Sequence, residues 1–302
     1  MKPTAVIALG GNALLRRGDA LTFANQLANI KIAAKAIAEI AKEYRVAIVH
    51  GNGPQVGLLA LQNLAYKQVS PYPLDVLGAE SEGMIGYMLA QELQNLMPET
   101  QVSSLLTRIE VDPHDPSMQD PTKFVGPVYD REEATILAEA HNWTMKPDGE
   151  YLRRVVPSPR PMNILDKTSI DTLLEAGHIV ICCGGGGIPV CHTQMGYQGV
   201  EGVIDKDLSA ALLAKQLQAD KLLILTDADA VYLDWGTEKQ RAIHQTTPAE
   251  LSQYNFPAGS MGPKVEAVID FAKFGGQAYI GALEQGLDVL GGQAGTCVVN
   301  VQ

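Results

Sequence analysis

The sequence predicts an α/β protein whose mostly parallel central sheet is covered by helices on both faces. Short runs of β-forming residues alternate with longer segments of helical period, and a glycine-rich or acidic turn follows most of the runs. The runs are TAVIAL, RVAIVH, VSSLL, HIVICC and KLLILT. The clearest helical segments are ANIKIAAKAIAEIAKEY and LSAALLAKQLQA. Repeated alternation of strand, turn and helix is typical of this architecture.

The turns that follow four of these runs are the candidate binding elements. The carboxyl ends of parallel strands lie at one edge of a sheet, and ligands of such folds bind beyond that edge. We therefore expect the turns to converge on one crevice. They are Gly10-Gly11-Asn12, Gly51-Asn52-Gly53, Gly184–Gly187 and the acidic turn Thr226-Asp227-Ala228-Asp229.

One segment interrupts the alternation, from about residue 112 to residue 161. It is rich in proline and charge, with DPHDPSMQDPTKFVGPVYD near its start and YLRRVVPSPRP at its end. Proline lacks the backbone donor that a central strand needs. The segment is therefore predicted to be an inserted subdomain or lid.

Composition and charge exclude several functional classes. The 302 residues include 34 acidic and 23 basic side chains, which gives a formal net charge of −11. Such a surface does not attract nucleic acid or anionic membrane. The apolar runs are too short to span a bilayer, and Gly10, Gly11 and Asn12 interrupt the N-terminal run before it could act as a signal peptide. We expect a cytoplasmic protein.

The four cysteines are expected to be reduced thiols. Cys182 and Cys183 are adjacent in a strand-like run, so their side chains are predicted to point to opposite faces. Zinc binding by Cys183, Cys191 and His192 is a minor alternative, because the usual second close pair of ligands is missing.

The HGNGPQVG motif is open to two interpretations. Pro54 suits the first turn of a helix, and free amides there, beside Gly51 and Gly53, would form an anion site. A dinucleotide fingerprint is the alternative, but Val56 stands where that motif needs glycine. Its acidic partner would be Asp75, in a segment that reads as a loop.

Two features near these turns have ordinary explanations. Gly10-Gly11-Asn12, taken alone, is typical of a tight turn with an asparagine cap. His50 could act as a base, but a histidine at a strand end is more often structural. Neither feature alone indicates a function.

Four consecutive glycines, Gly184–Gly187, are a stronger signal. Glycine has a high backbone entropy cost, so such a run indicates that another group must approach bare backbone. Phosphate is the usual guest of such a turn. A wide bulge or a close strand crossing is the structural alternative.

Three lysines are candidates for the cations that a phosphate would need. Lys206 and Lys264 are predicted near the starts of helices, with Asp207 as a cap in the first case and Lys264 as the second residue of its helix. A cation is disfavoured at a helix start, which suggests a use other than stability. Lys123 lies in the inserted segment. Each lysine, taken alone, could equally be an ordinary solvated residue.

Nine stretches in order resemble the carbamate kinases of the amino acid kinase superfamily. They extend from about Thr4 to Thr296, nearly the whole chain. The stretches are ALGGNAL, HGNGPQVG, GMIGYMLAQEL, PTKFVGPVY, RRVVPSPRP, ICCGGGGIPV, VIDKDLSAALLA, LTDADAVY and GSMGPKVEAVIDF. Phe124 replaces a proline that many members have, and Cys183 replaces a common serine; neither change removes a charged group.

The resemblance implies a three-layer αβα sandwich with a largely parallel central sheet and a subdomain that protrudes from the N-terminal half. It implies one domain over residues 1–302, with an acceptor-side lobe at 1–175 and a nucleotide-side lobe at 176–302. It also implies a homodimer. The implied reaction is reversible phosphoryl transfer between carbamoyl phosphate and ADP, giving ATP and carbamate.

The resemblance also assigns roles to residues. Lys123, Lys206 and Lys264 are implied around the transferred phosphoryl group, with Asp205 orienting the lysines. The acceptor and phosphate residues are Gly10, Gly11, Asn12, Gly51, Asn52, Gly53, Gly184, Gly185 and Gly186. The nucleotide residues are Thr226, Asp227, Ala228, Asp229, Tyr232, Met261 and Pro263.

Magnesium is expected to arrive with the nucleotide and to be held mainly by phosphate oxygens and water. Asp227 and Asp229 could otherwise bind a ribose, or be plain turn residues. Two alternatives to a carbamate kinase remain: another acyl-phosphate-forming kinase of the superfamily, and a nucleotide-binding sensor without turnover. Arginine, purine or allantoin breakdown is the implied setting, and nothing in the sequence selects among them.

Overall fold

The computed structural model of the protein describes residues 2–11, 14–15, 18–257 and 260–300. Its centre is an eight-stranded sheet in the order β15-β17-β16-β12-β1-β2-β9-β3. The strands are β1 (Thr4–Leu9), β2 (Arg45–His50), β3 (Val102–Ser104), β9 (Ile179–Ile181), β12 (Lys221–Thr226), β15 (Gln245–Thr246), β16 (Gln277–Ala282) and β17 (Thr296–Val298). The described pairings are parallel except for β16 with β17.

Helices cover both faces of this sheet, so the predicted fold class is confirmed. The described helices are α1 (Phe23–Ala41), α2 (Gly53–Ala65), α3 (Leu74–Leu96), α4 (Arg131–His141), α5 (Lys167–Glu175), α6 (Lys206–Gln216), α7 (Pro248–Leu251), α8 (Met261–Phe274) and α9 (Gly286–Leu290). Short 3₁₀ turns lie at Pro116–Met118, Gly184–Gly186 and Leu283–Gln285.

The core consists of two apolar layers, one on each face of the sheet. Strand β1 is buried along its whole length, because alternate side chains enter opposite layers. Val6 and Ala8 pack with residues of α5, α6 and α8. Ile7 and Leu9 pack with residues of α1, α3 and α9. A strand buried on both faces reads as a continuous apolar run, which is why β-former runs predicted these strands.

Three smaller sheets lie outside the central one. Strands β4 (Arg108–Val111), β8 (Pro161–Ile164), β10 (Ile188–Thr193) and β11 (Gly196–Gly199) form one, in the order β11-β10-β4-β8. Strands β5 (Lys123–Tyr129), β6 (Thr144–Asp148) and β7 (Tyr151–Val156) form another, in the order β5-β7-β6. The third is the hairpin of β13 (Val231–Leu233) and β14 (Arg241–Ile243).

The proline-rich segment 112–161 contributes no strand to the central sheet. It contains β5, α4, β6 and β7, which form a compact antiparallel unit. Pro147 lies in β6 at the edge of that sheet, and Pro127 lies where the register of β5 shifts between Val125 and Val128. Both are positions where a missing backbone donor is tolerated.

Within the described residues, none of the helices combines the length and the apolar character that a membrane crossing requires.

We predict that Ile48→Ala destabilises the protein strongly. Ile48 lies in the middle of β2, is fully buried, and is paired with β1 and β9. Its loss removes buried apolar surface and leaves a cavity, so the free energy of unfolding should fall by about 2–5 kcal/mol. Urea unfolding measures this change.

The matched control is Ile136→Ala on α4. Ile136 is 59% exposed, so the same chemical change should alter the free energy of unfolding by less than about 0.5 kcal/mol. Equal losses in the two variants would contradict the assignment of the core.

Candidate active site

The candidate site lies at the carboxyl edge of the central sheet, where β1 and β12 end side by side. The chain passes from β1 to β2 on one side of β1, whereas β12 flanks it on the other. Such a reversal opens a crevice at the strand ends. The amide of Gly10 donates to the carbonyl of Leu225 at 2.8 Å, which fixes the first turn against the end of β12.

Two cavities adjoin in this crevice and share Gly11, Ser260 and Lys264. The larger, of about 530 Å³, is lined mainly by the turns after β1 and β12 and by the start of α8. The smaller, of about 200 Å³, is lined by the starts of α2 and α6 and by the start of β5. The predicted convergence of the turns on one crevice therefore holds for the residues that the structure describes.

Lys123, Lys206 and Lys264 all line the smaller cavity. They come from the inserted segment, from α6 and from α8, so they are distant in sequence but lie together in space. Lys123 Nζ donates to Asp205 Oδ2 at 2.5 Å. Lys264 Nζ donates to Asp207 Oδ2 at 3.2 Å, and Lys206 Nζ donates to Asp207 Oδ1.

Three sequence-based interpretations of this cluster need correction. Asp205, not Asp207, caps α6, since its Oδ1 accepts the amide of Asp207 at 2.9 Å. Asp205 binds only Lys123 among the three lysines, and Asp207 holds Lys206 and Lys264. Lys264 is the fourth residue of α8, because that helix begins at Met261 and not at Pro263.

The charges of this cluster depend on one another. Burial would raise the pKa of Asp205, but the ammonium groups of Lys123 and Lys206 outweigh it and lower that pKa to about 2. Burial lowers the pKa of Lys206, Asp207 opposes that shift, and the nearby Lys264 adds to it. Asp205 therefore stays ionised at neutral pH.

The glycine turns differ in what they contribute to the smaller cavity. Gly51, Asn52 and Gly53 line it at the start of α2. Of the tetraglycine turn, Gly185 lines it as well. Gly184 and Gly186 do not: a Cβ at Gly184 would lie 2.5 Å from His50 Nε2, and one at Gly186 would lie 2.1 Å from the carbonyl oxygen of Ile204. These two glycines admit protein groups, as the close-crossing alternative requires.

Buried polar side chains hold the tetraglycine turn in place through hydrogen bonds to its backbone. Glu82 of α3 accepts the amide of Gly184 at 2.7 Å and the amide of Thr107 at 3.3 Å. Thr107 Oγ1 accepts the amide of Cys183 at 2.9 Å. Ser209 Oγ donates to the carbonyl of Gly186 at 2.6 Å. Glu82 was not predicted from the sequence, because nothing there distinguishes it from the other acids of a helical segment.

His50 and Glu82 are both uncharged near neutral pH. Burial lowers the pKa of His50 to about 4, although the carbonyl of Gly51 opposes the shift. Burial raises the pKa of Glu82 to about 8, against the amide hydrogen bonds from Gly184 and Thr107. His50 is fully buried under the turn, so its role here is structural, not that of a base facing the cavity.

The larger cavity contains most of the predicted nucleotide residues. Its lining includes Thr226, Asp227, Ala228, Tyr232 and Met261. Asp229 does not line it, but accepts a hydrogen bond from the hydroxyl of Tyr232 at 2.9 Å. Pro263 lines the smaller cavity instead.

Trp235, Phe256 and Ser260 line the larger cavity without having been predicted. Trp235 is 68% exposed and meets the Tyr232 ring edge-on at 5.0 Å. The sequence offered only a weak signal for them: Trp235 follows the acidic turn by a few residues, but its exposure is visible only in the structure.

The remaining candidates lie elsewhere. Asn12 is outside the described residues, and Gly10 and Gly11 line the larger cavity. Asp75 lies in the first turn of α3, with its carboxylate against Gly199. No cluster of three or more acidic, histidine or cysteine ligands occurs among the described residues, and the thiols of Cys182, Cys183, Cys191 and Cys297 are free.

Comparison with known proteins identifies the family and supports the fold. Residues 3–281 match the sequence model of the amino acid kinase family. The carbamate kinase of Escherichia coli is 60% identical over 296 residues, which cover 98% of this chain and 99% of that protein. The carbamate kinase of Pyrococcus horikoshii is 46% identical over 99% of both chains.

Solved structures agree with this assignment. The carbamate kinase of Giardia lamblia bound to AMP-PNP superposes with a TM-score of 0.91 at 40% identity, over 99% of each chain. The chain belongs to the amino acid kinase family and, within it, to the carbamate kinases, and is thus a phosphotransferase.

We predict that Glu82→Gln removes a pH dependence of stability. The folded protein retains the Glu82 proton up to a pKa of about 8, well above the ordinary value of 4.5. The unfolded chain loses that proton earlier, so the free energy of unfolding falls as the pH rises between these values. Between pH 6.5 and 8, this fall should approach roughly 1 kcal/mol per pH unit.

Urea unfolding at several pH values measures this slope. His50 acts in the opposite direction, but only between its folded pKa of about 4 and its ordinary value of 6.5, so it does not obscure the upper window. Glu80→Gln, at an exposed position of the same helix, is the control and should keep the wild-type slope. An unchanged slope in the Glu82 variant would rule out a protonated Glu82.

Proposed function

We propose that the protein catalyses reversible transfer of a phosphoryl group between carbamoyl phosphate and ADP, giving ATP and carbamate. One observation carries this proposal: three ammonium groups from distant segments line one small cavity beside a larger one. Phosphoryl transfer requires positioning and charge neutralisation more than a covalent intermediate. The relatives named carbamate kinase supply the substrate class.

Charge balance supports phosphate binding in the smaller cavity. Lys123, Lys206 and Lys264 contribute three positive charges, and Asp205 and Asp207 contribute two negative ones. The cluster therefore retains one net positive charge. Carbamate and the nucleotide phosphates are all anionic, and fixed cations in a partly dry cavity reduce their mutual repulsion.

Helix starts add to this attraction. Helices α2, α6 and α8 begin at Gly53, Lys206 and Met261, and the first turn of each contributes residues to one or both cavities. Free amides at a helix start carry a partial positive charge, so three such ends favour bound phosphate.

The larger cavity is the proposed nucleotide site. It is lined by the rings of Tyr232, Trp235 and Phe256, which can pack against a base, and by Lys264 at the boundary with the smaller cavity. The solved structure of the Giardia carbamate kinase has AMP-PNP bound. This arrangement would place the base near the aromatic residues and the phosphates near the lysines.

The acceptor is proposed to bind at Gly51-Asn52-Gly53, with the migrating phosphoryl group between the three lysines. Direct in-line transfer needs the two oxygens on opposite sides of the phosphorus. Asp207 would hold the ammonium groups of Lys206 and Lys264 in place for this step, and Asp205 would hold that of Lys123. Gly185 provides backbone close to Asn52, since a Cβ there would lie 2.2 Å from Asn52 Nδ2.

Magnesium fits this arrangement only as a companion of the nucleotide. The carboxylates of Asp205 and Asp207 are taken up by lysines. A magnesium ion prefers six oxygen ligands and retains several waters, so phosphate oxygens and water would supply most of them. The ion would neutralise phosphate charge when bound.

The proposal also covers the cellular location, the oligomeric state and the roles of the two lobes. By family resemblance the protein is a cytoplasmic homodimer. The N-terminal lobe, residues 1–175, would carry the acceptor, and the C-terminal lobe, residues 176–302, would carry the nucleotide. The net charge of −11 is consistent with small-molecule substrates and not with nucleic acid.

We predict ATP formation when the purified protein receives carbamoyl phosphate and MgADP. Carbamoyl phosphate is chosen as the phosphoryl donor because the relatives from Escherichia coli and Pyrococcus horikoshii are both named carbamate kinase. Acetyl phosphate and acylated amino acid phosphates, assayed in parallel, separate this activity from that of another acyl-phosphate kinase. Binding of ATP without transfer from any donor would contradict the proposal.

We predict that Lys206→Ala and Lys264→Ala each lower kcat about 100-fold or more while the protein stays folded. Each change removes a cation from the phosphoryl site, where such groups contribute several kcal/mol to the transition state. Steady-state kinetics and circular dichroism measure both properties. Lys35→Ala, on the exposed face of α1, is the control and should keep wild-type turnover.

A further inference from the structure

We propose that a backbone contact between Gly57 of α2 and Gly126 of β5 positions Lys123 in the smaller cavity. The inference rests on the proposed function, because it concerns the role of Lys123 in phosphoryl transfer. Gly57 and Gly126 do not themselves line that cavity.

The backbone of Gly126 lies too close to Gly57 for a side chain on Gly57. A Cβ at Gly57 would lie 2.4 Å from the Cα of Gly126 and 2.6 Å from its nitrogen. Ordinary contacts of a Cβ are 3.4 Å or longer. Since both neighbouring atoms belong to the backbone, no rotation of a side chain can relieve the clash, and β5 itself would have to move.

The backbone of β5 is fixed from its other side as well. Gly126 has a φ of +72° and lies where the register of β5 on β7 shifts. Arg153 Nε donates to the carbonyl of Gly126 at 2.7 Å. Val125 packs into an apolar cluster with Val56 of α2 and Leu77 of α3. Strand β5 is therefore held between α2 and β7.

Lys123 is the first residue of β5, three positions before Gly126. Its Nζ reaches Asp205 at 2.5 Å, and this is the one hydrogen bond of its side chain within the described part of the chain. The side chain is 40% exposed, so packing does little to fix it. The position of β5 and the bond to Asp205 are therefore the two constraints on the ammonium group.

The contact also links two walls of the cavity. Helix α2 begins at Gly53, which lines the cavity, and Gly57 lies about one turn further along. Lys123 stands on the opposing wall formed by β5. The separation between the start of α2 and the Lys123 ammonium group is thus set by how closely Gly57 and Gly126 approach.

Gly57→Ala tests the proposal. The added methyl group should displace β5 and Lys123 by roughly 1 Å, a misplacement that costs about 100-fold in turnover. The KM for ADP should change by less than about threefold, because no residue of β5 lines the larger cavity. This split between kcat and KM distinguishes a positioning role from loss of the whole fold.

Two controls separate displacement from general effects. Gly83→Ala makes the same change on α3, where a Cβ would meet no atom within 4 Å, and should keep wild-type kcat. Leu77→Ala weakens the same apolar cluster without pushing on β5. It should lower the melting temperature more than Gly57→Ala does, yet leave kcat within about threefold of wild type.

The deciding measurement is the double variant with Lys123→Ala. If Gly57 acts through Lys123, adding Gly57→Ala to Lys123→Ala lowers kcat no further than Lys123→Ala alone. Multiplicative losses in the double variant overturn the proposal, and so does wild-type kcat in Gly57→Ala when Lys123→Ala is slow. Wild-type kcat in Lys123→Ala instead removes the proposed role of Lys123, and with it the basis of this inference.

Discussion

The cavity depends on holding three ammonium groups together in a partly buried space. Positive charges that share one small cavity repel one another strongly, and burial removes the water that would weaken the repulsion. Two carboxylates reduce this cost: Asp205 binds Lys123, and Asp207 binds both Lys206 and Lys264. Because these acids flank Lys206 in sequence, the start of α6 is the point around which Lys123 and Lys264 are arranged.

The fold makes this arrangement through several independent constraints. Parallel strands bring the turns after β1, β2 and β12 to one edge, and close glycine packing lets neighbouring elements approach. The tetraglycine turn is supported by Glu82, Thr107 and Ser209 from beneath. An uncharged Glu82 suits that place, since none of the ion pairs among the described residues includes it and a buried, unpaired carboxylate is costly.

The sheet and the glycine turns were predictable, because apolar runs and glycine clusters leave direct marks on a sequence. The meeting of the three lysines followed only from the family resemblance. Which of Asp205 and Asp207 caps α6, and which lysines each one binds, could not be predicted, since either acid can cap a helix. Cys182 and Cys183 were predicted to face opposite ways, but β9 ends at Ile181 and Cys183 has a φ of 51°, so both enter one apolar cluster. The left-handed backbone at Cys183 and the hydrogen bond from Gly184 to Glu82 both depend on residues distant in sequence, so local patterns do not reveal them.

Asp205 both caps α6 and binds Lys123. Few replacements can satisfy both demands. Asparagine and serine cap a helix well but bring no negative charge, whereas glutamate keeps the charge on a stem that caps poorly. This position therefore tolerates almost no chemical variation, and a defect in any variant there would combine a frayed helix end with a misplaced cation.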